Sequence, residues 1–188
     1  MKRAIAFIVL LCGSCVGPAA DRSSDRAGAG VSAGEYGQRY TSRSSGEVGQ
    51  RLADYLIVDK SSRLLVAYNN GRPLRIYRGL QFGDAPAGHK RFQGDERTPE
   101  GVYTVHTRNP NSSYHLSLRI DYPNSSDRAF ASQYGRSPGG DIFIHGQPNG
   151  ATRRMRGDWT DGCIALSNAE IEELWRLVPD GTPIEIRP

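Results

Sequence analysis

Short runs of β-forming residues, each cut off by a turn, fill the chain from Asp54 to its end. Asp54–Asp59 (DYLIVD) and Arg63–Tyr68 (RLLVAY) are rich in branched and aromatic side chains. Asn70-Gly71 then supplies the two residues that tolerate positive φ in a tight reversal before Pro73–Arg78, so these runs predict antiparallel hairpins. Gly101–Thr107, Tyr114–Asp121, Asp141–His145 and Thr182–Arg187 read as further strands. With 22 Gly and 11 Pro among 188 residues there is little room for long helices. Two short ones are expected. One covers Ser125–Tyr134. The other starts at Ser167-Asn168-Ala169-Glu170, a capping box in which the Ser167 hydroxyl and the Glu170 carboxylate satisfy each other's free backbone amides. Ile171, Leu174, Trp175 and Val178 follow at helical spacing and predict a stripe facing the core. The fold class is therefore mainly β, and residues 51–188 are long enough to bury a core of their own.

The preceding residues are of a different kind. Lys2 and Arg3 precede the apolar Ala4–Leu11, and small residues follow, which is the pattern of an export leader over residues 1–20. The apolar run is too short to span a bilayer. Two processing readings stand side by side: cleavage near Ala19 or Ala20, and lipidation of Cys15, because Leu11-Cys12-Gly13-Ser14-Cys15 resembles a bacterial lipobox. Cys12 and Cys15 also spell C-x-x-C, but a redox motif needs a strand–helix junction in a folded domain, and this one lies inside the leader. Residues 21–50 hold six Gly and six Ser but no Leu, Ile or Phe, and their four acids and four Arg cancel, which predicts a flexible tether. Of three cysteines, only Cys163 then remains in the folded part, so no internal disulfide is available there. The formal charge of +4 shrinks to +2 once the acid-free leader, with its two basic residues, is set aside. Nothing here suggests a nucleic-acid surface.

The chemistry gathers between Asp141 and Ser167. Ile142-Phe143-Ile144 is a buried type of strand that ends at His145-Gly146, and eighteen residues after His145 comes Cys163 in Thr160-Asp161-Gly162-Cys163-Ile164. A thiol becomes a strong nucleophile when a neighbouring imidazole takes its proton. A strand end fixes the imidazole, and Gly162 gives the thiol an approachable backbone. The amides of Gly162 and Cys163 are candidates for stabilising a tetrahedral oxyanion.

This stretch resembles the active site of the L,D-transpeptidase (YkuD-type) catalytic domain family, with its His-Gly pair followed by a Ser/Thr-x-Gly-Cys box. Gly94-Asp95-Glu96-Arg97-Thr98-Pro99-Glu100-Gly101-Val102-Tyr103 is similar to the family's G-D-x-x-T-P-x-G-x-Y segment, and Asp59-Lys60 through Asn70-Gly71 resemble its first hairpin. The resemblance covers about residues 52–188. It implies a β-sandwich or mixed-sheet fold with one or two short helices, one of them after the cysteine. It implies that Cys163 attacks the L-centre carbonyl of the third residue of a peptidoglycan stem peptide, forming a thioester as the terminal D-Ala leaves. An amine or water then resolves the thioester, with His145 as base and then acid. No cofactor and no metal is implied. The expected place of action is the periplasm or cell envelope, with the membrane reached only through an anchor at Cys15.

Two departures from the family pattern matter. Asp161 stands where many members have His, and Ala165 where many have Arg. Trp159-Thr160-Asp161-Gly162-Cys163-Ile164-Ala165 instead resembles a subgroup that includes a murein amidase, which adds a carboxypeptidase or an amidase acting on a wall-linked lipoprotein as alternative readings, and a non-catalytic wall-binding lipoprotein as a third. Gly146, Trp159, Thr160, Asp161 and Arg156 are the candidates for substrate binding. Arg153, Arg154 and Arg156 lie in a polar loop that reads either as a carboxylate-binding lid or as a solvated surface. Trp159 either walls the groove or packs, and Asp161 tunes the imidazole, binds an acceptor amine or faces solvent. Arg97 and Thr98 either support the site from behind or make an ordinary turn. His89, His106 and His115 read as surface or structural, with no spacing that suits zinc.

Overall fold

The turn expected at Asn70-Gly71 has positive φ at both residues, 49° and 69°, as a tight hairpin reversal requires. It joins β2 (Leu64–Asn69) to β3 (Arg72–Arg78), and β2 also pairs antiparallel with β1 (Tyr55–Asp59). The computed structural model describes residues 51–188. The leader, the Cys15 anchor and the tether of residues 21–50 lie outside the described residues.

The remaining strands are β4 (Gly101–Ser112), β5 (His115–Ile120), β6 (Phe143–His145), β7 (Ile164–Ala165) and β8 (Pro183–Arg187). The helices are α1 (Ser125–Gln133) and α2 (Asn168–Leu177). The ladder runs β3-β2-β1-β8-β4-β5-β6-β7 and is mixed, because β1 pairs with β8 and β6 with β7 in parallel. Strand β4 is the joint. Its first part, Gly101–Thr104, pairs with β8, and its second part, from Val105, pairs with β5 through two register shifts. Such irregularities bend a strand and increase its twist. The strand is longer than its sequence suggested because Pro110 sits in the second irregular stretch, where a missing amide breaks no ladder bond.

Both helix starts are fixed by reciprocal caps. Ser167 and Glu170 form the expected box at α2, and Asn124 with Asp127 forms a second at α1. Ile171, Leu174 and Val178 are fully buried, and Trp175 packs partly buried against the same core. Arg108 closes the other end of α2. Its guanidinium donates to the carbonyls of Trp175 and Val178, meets Asp180 at 3.0 Å, and lies over the Trp175 ring. These are the carbonyls a helix leaves unpaired, and a cation there also suits the helix dipole. Helix α2 packs on β5 and β6, so the core contact that stabilises it also sets the strand end carrying His145.

Replacing buried Ile171 by Ala is expected to cost about 2–5 kcal/mol in denaturant unfolding, whereas Ile76→Ala, at an exposed position on β3, should change stability by less than about 0.5 kcal/mol.

Candidate active site

Strand β7 is only two residues long, and its place is held mainly from outside. Gln81 exchanges two backbone hydrogen bonds with Ala165, and the amides of Trp159 and Thr160 both donate to the Phe82 carbonyl. The Phe82 amide in turn donates to Asp158, whose carboxylate makes a two-pronged pair with Arg63, 2.7 Å on each side. Arg63 holds the Asp158 carboxyl below its ordinary range. The approach to Cys163 is thereby fixed before the strand begins.

Gly162 has a φ of 117°, and a Cβ there would lie 2.5 Å from the Arg97 carbonyl oxygen. Only glycine satisfies both constraints. Thr98, fully buried, donates its hydroxyl to the Gly162 carbonyl at 2.9 Å. Arg97 and Thr98 thus brace the Gly162 turn from behind. Thr160 closes the turn from the front: its hydroxyl donates to the Cys163 carbonyl at 2.8 Å and accepts from the Gly162 amide at 3.3 Å. Of the two amides expected to face an oxyanion, that of Gly162 is therefore directed at Thr160 in this structure. The Cys163 amide has no hydrogen-bond acceptor among the described residues.

In the parallel register Ile144 stands beside Ile164 and His145 beside Ala165. Side chains alternate along strands, so His145 and Cys163 emerge on the same face, offset by two positions. Both line one cleft of about 430 Å³, with Asn109, Ser112, Ser113, Tyr114, Ser117, Gly140, Asp141, Phe143, Trp159, Thr160 and Asp161. His145 is 2% exposed, and its Nδ1 lies 2.6 Å from the Gly146 carbonyl oxygen. A carbonyl only accepts, so Nδ1 carries the hydrogen and Nε2 keeps the lone pair. Rings cover the imidazole: Tyr114 at 4.6 Å between centroids and Trp159 at 5.6 Å, the latter edge to face. Burial pushes the His145 pKa below its ordinary value of 6.5, and the Gly146 carbonyl opposes this.

The thiol is shifted in the opposite direction. Burial pushes Cys163 up to about 11, although the Phe143 amide donates to Sγ at 3.4 Å and so favours the thiolate. Asp161 and Asp141 add to the rise, and the Sγ–H points to the Asp141 carbonyl at 3.5 Å. Each shift disfavours the charged form, so the resting pair is neutral thiol and neutral imidazole.

The expected binding residues separate into two groups. Trp159, Thr160 and Asp161 line the cleft. Trp159 also presents a buried Nε1–H without an acceptor among the described residues. Gly146 and Arg156 do not line it. Gly146 is buried with its amide directed to the carbonyls of Tyr114 and Leu116, a Cβ there would meet Asn168 Oδ1 at 2.7 Å, and its carbonyl lies against the His145 ring. Arg156 is exposed and outside the cleft. The loop carrying it is pinned rather than free. Arg154 donates to Gly79 and Gln81, Gln81 reaches the carbonyls of Met155 and Gly157, and buried Gln147 accepts from the Met155 amide at 2.8 Å. His89 is structural: it accepts from the Glu100 amide through Nδ1 and donates through Nε2 to buried Asp127.

Several cleft residues carried no sequence signal. Tyr114, the Phe143 amide and the Asp141 carbonyl act by position. Ser117, 3% exposed and opposite His145 in the β5–β6 register, is a small polar side chain beside the imidazole. Only strand pairing could have revealed it. Among the described residues no helix is long and apolar enough to cross a membrane, and no group of His, Cys, Asp and Glu is placed to hold a metal ion.

The L,D-transpeptidase catalytic domain family, YkuD, matches residues 53–186. YafK of Escherichia coli K12, which carries the provisional name L,D-transpeptidase, is 32% identical over 93 residues, 48% of this chain and 32% of that protein. The chain thus matches about one third of the length of that relative. The crystal structure of the helical cell shape determining protein Pgp2 from Campylobacter jejuni superposes with a TM-score of 0.56 and 26% identity, covering 75% of this chain and 51% of that one. A K307A mutant of the same protein gives the same TM-score at 25% identity.

A neutral, half-buried thiol makes a direct prediction. Alkylation of Cys163 by iodoacetamide should be slow at pH 7, where about one thiol in ten thousand is ionised, and should accelerate with pH until about 11. A plateau below pH 8 would show that the thiolate is already formed in the free protein.

Proposed function

This chain belongs to the L,D-transpeptidase catalytic domain family, and on that premise we propose that it is a cysteine acyltransferase acting on peptidoglycan stem peptides in the cell envelope, reached by export. One observation carries the reading: a nucleophile on a braced turn and an imidazole with its Nε2 lone pair unpartnered share one cleft. The stem peptide enters with the L-centre carbonyl of its third residue over Sγ. Moving a proton from a thiol near 11 to an imidazole below 6.5 before attack costs about 6 kcal/mol or more, so transfer to Nε2 accompanies formation of the S–C bond. The thiol hydrogen rotates from the Asp141 carbonyl to make that transfer. The Cys163 amide faces the developing oxyanion, and Trp159 offers its free Nε1–H to a substrate carbonyl. The C–N bond to the terminal D-Ala breaks, and His145 returns the proton to the leaving nitrogen. An amine of a neighbouring stem then attacks the thioester, gives its proton to His145 and restores the thiol.

Asp161 favours an amine over water in that last step. It is exposed at the cleft rim, two residues from the nucleophile, with no cation paired to it among the described residues. A carboxylate there concentrates ammonium groups, which release one proton to solvent before the free amine attacks. No Lys or Arg lines the cleft to do the same for a stem carboxylate.

Incubation with purified tetrapeptide muropeptides should give cross-linked dimer and free D-Ala, and Cys163→Ala should give neither. D-Ala without dimer would instead make the protein a carboxypeptidase, and release of a wall-linked lipoprotein from sacculi an amidase. Asp161→Asn should lower the ratio of transfer to hydrolysis by about fivefold.

The acid limb of kcat/KM should lie below pH 6.5, because activity falls as pH drops through the lowered His145 pKa. Tyr114→Ala uncovers the imidazole and should move that limb up towards 6.5, whereas Tyr114→Phe should leave it in place.

A further inference from the structure

A second feature lies beyond the cleft rim. Phe130 and Tyr134, four residues apart at the end of α1, meet Phe92 from the loop before β4, with ring centroids 5.0 to 5.9 Å apart. Tyr134 is 60% exposed, and Phe92 and Phe130 are half-buried. Two guanidinium groups complete the cluster. Arg91 lies 4.3 Å from the Phe130 ring centre and Arg136 3.9 Å from that of Phe92. Both arginines are exposed, and neither has a carboxylate partner or a side-chain hydrogen bond among the described residues. Stacking occupies the face of a guanidinium and leaves its N–H groups, which lie in the plane, free for anions. An aromatic surface that holds two such groups suits a partner with apolar ring faces and carboxylates close together.

This patch is tied to the cleft through one segment. The Gln93 amide donates to the Ser137 carbonyl at 2.9 Å, and Gly139 lies so close to Gln93 that a Cβ would come within 3.2 Å of its Cα. Gly140 and Asp141, next in the chain, line the cleft. From Tyr134 to Asp141 the chain can span at most about 25 Å, and an extended stem of four residues spans about 14 Å.

We propose that Phe92, Phe130, Tyr134, Arg91 and Arg136 form a docking surface for a peptidoglycan strand, with a sugar face on the exposed Tyr134 ring and stem carboxylates on the arginines that Phe92 and Phe130 hold. The proposal rests on the peptidoglycan reading above and places polymer recognition outside the catalytic cleft. The cleft takes one stem while the patch holds the strand that carries it, or the one beside it.

The test compares polymer with soluble substrate, using the full chain. Tyr134→Ser combined with Arg136→Gln should weaken co-sedimentation with protein-free sacculi by about fivefold to tenfold and raise the apparent KM on sacculi equally, with kcat/KM on a sugar-free tetrapeptide changed by less than about twofold. Arg91→Gln, which leaves all three rings in place, should reproduce part of the loss if the double variant fails to fold. Unchanged sedimentation of the folded variants overturns the proposal, as does an equal loss on the sugar-free peptide. So does a loss confined to binding of vesicles with anionic lipid, or to self-association. If neither substrate is turned over by the unaltered protein but the sedimentation difference remains, the enzymatic reading fails and the docking surface stands.

Discussion

The parallel pairing of β6 with β7 is the constraint on which the site depends. Three residues face two, a short ladder by any measure, and alone it would not hold. It is held because both strands are anchored elsewhere. Strand β6 lies between β5 and β7 with α2 packed on it, while β7 is fastened to Gln81 and follows a loop fixed by Phe82, Asp158 and Arg63. The residues at its edges are tightly packed. Gly162 must be glycine because its φ is positive and the Arg97 carbonyl occupies the place of a Cβ, and at Gly146 a Cβ would press on the side chains of Asn168, His115 and Ile171. Strand pairing, loop bracing and helix packing thus converge on the relative placement of one imidazole and one thiol.

The same packing decides the charge state. Proteins that store a thiolate do so with a nearby cation or a helix N-terminus. Here the strongest influence on both groups is loss of water, and it acts on them in opposite directions, favouring the neutral thiol and the neutral base. A neutral pair is less nucleophilic at rest and also less open to unproductive oxidation or alkylation. On the proposed mechanism, its reactivity awaits a carbonyl close enough for bond formation and proton transfer to help each other. The Gly146 carbonyl makes this workable: it fixes the tautomer without a buried carboxylate, which would stabilise the imidazolium in the absence of substrate.

Much of this was legible in the sequence because its signals are local. The Asn70-Gly71 turn, the Ser167–Glu170 cap, the stripe Ile171, Leu174 and Val178, and the Gly-Cys turn are each written in a few adjacent residues, and the residues around His145 and Cys163 carry the family motif. What was not legible depends on register. Ser117 faces the imidazole only because β5 pairs with β6 in one alignment, and a shift by one residue would turn it away. Tyr114 and the Phe143 amide reach the site for similar reasons. Gly146 and Arg156 lie outside the cleft lining for different reasons. A glycine beside a catalytic histidine suggests contact with substrate, but here its carbonyl and its close packing are what count. An arginine in a loop near the nucleophile suggests a lid, but Gln81, Gln147 and Arg154 hold that loop in a course that leaves Arg156 in solvent.

The placement of charge follows from the same division. A cation inside the cleft would lower the thiol pKa and stabilise the resting thiolate, against the neutral pair that burial creates. Among the described residues no Lys or Arg lines the cleft wall, and of its two carboxylates Asp141 is paired with Arg119 at 2.9 Å while Asp161 has no cation paired to it, so the uncompensated charge at the rim is that of Asp161. On the proposed reading, a carboxylate-bearing polymer would meet its cations outside the cleft, away from the thiol. Stacking Arg91 and Arg136 on aromatic rings provides them at low cost, because the rings hold the guanidinium planes while water still reaches their edges. On the proposed reading, polymer affinity and reactivity toward one of its bonds are assigned to different surfaces, the aromatic patch with its two arginines and the cleft with no Lys or Arg in its wall.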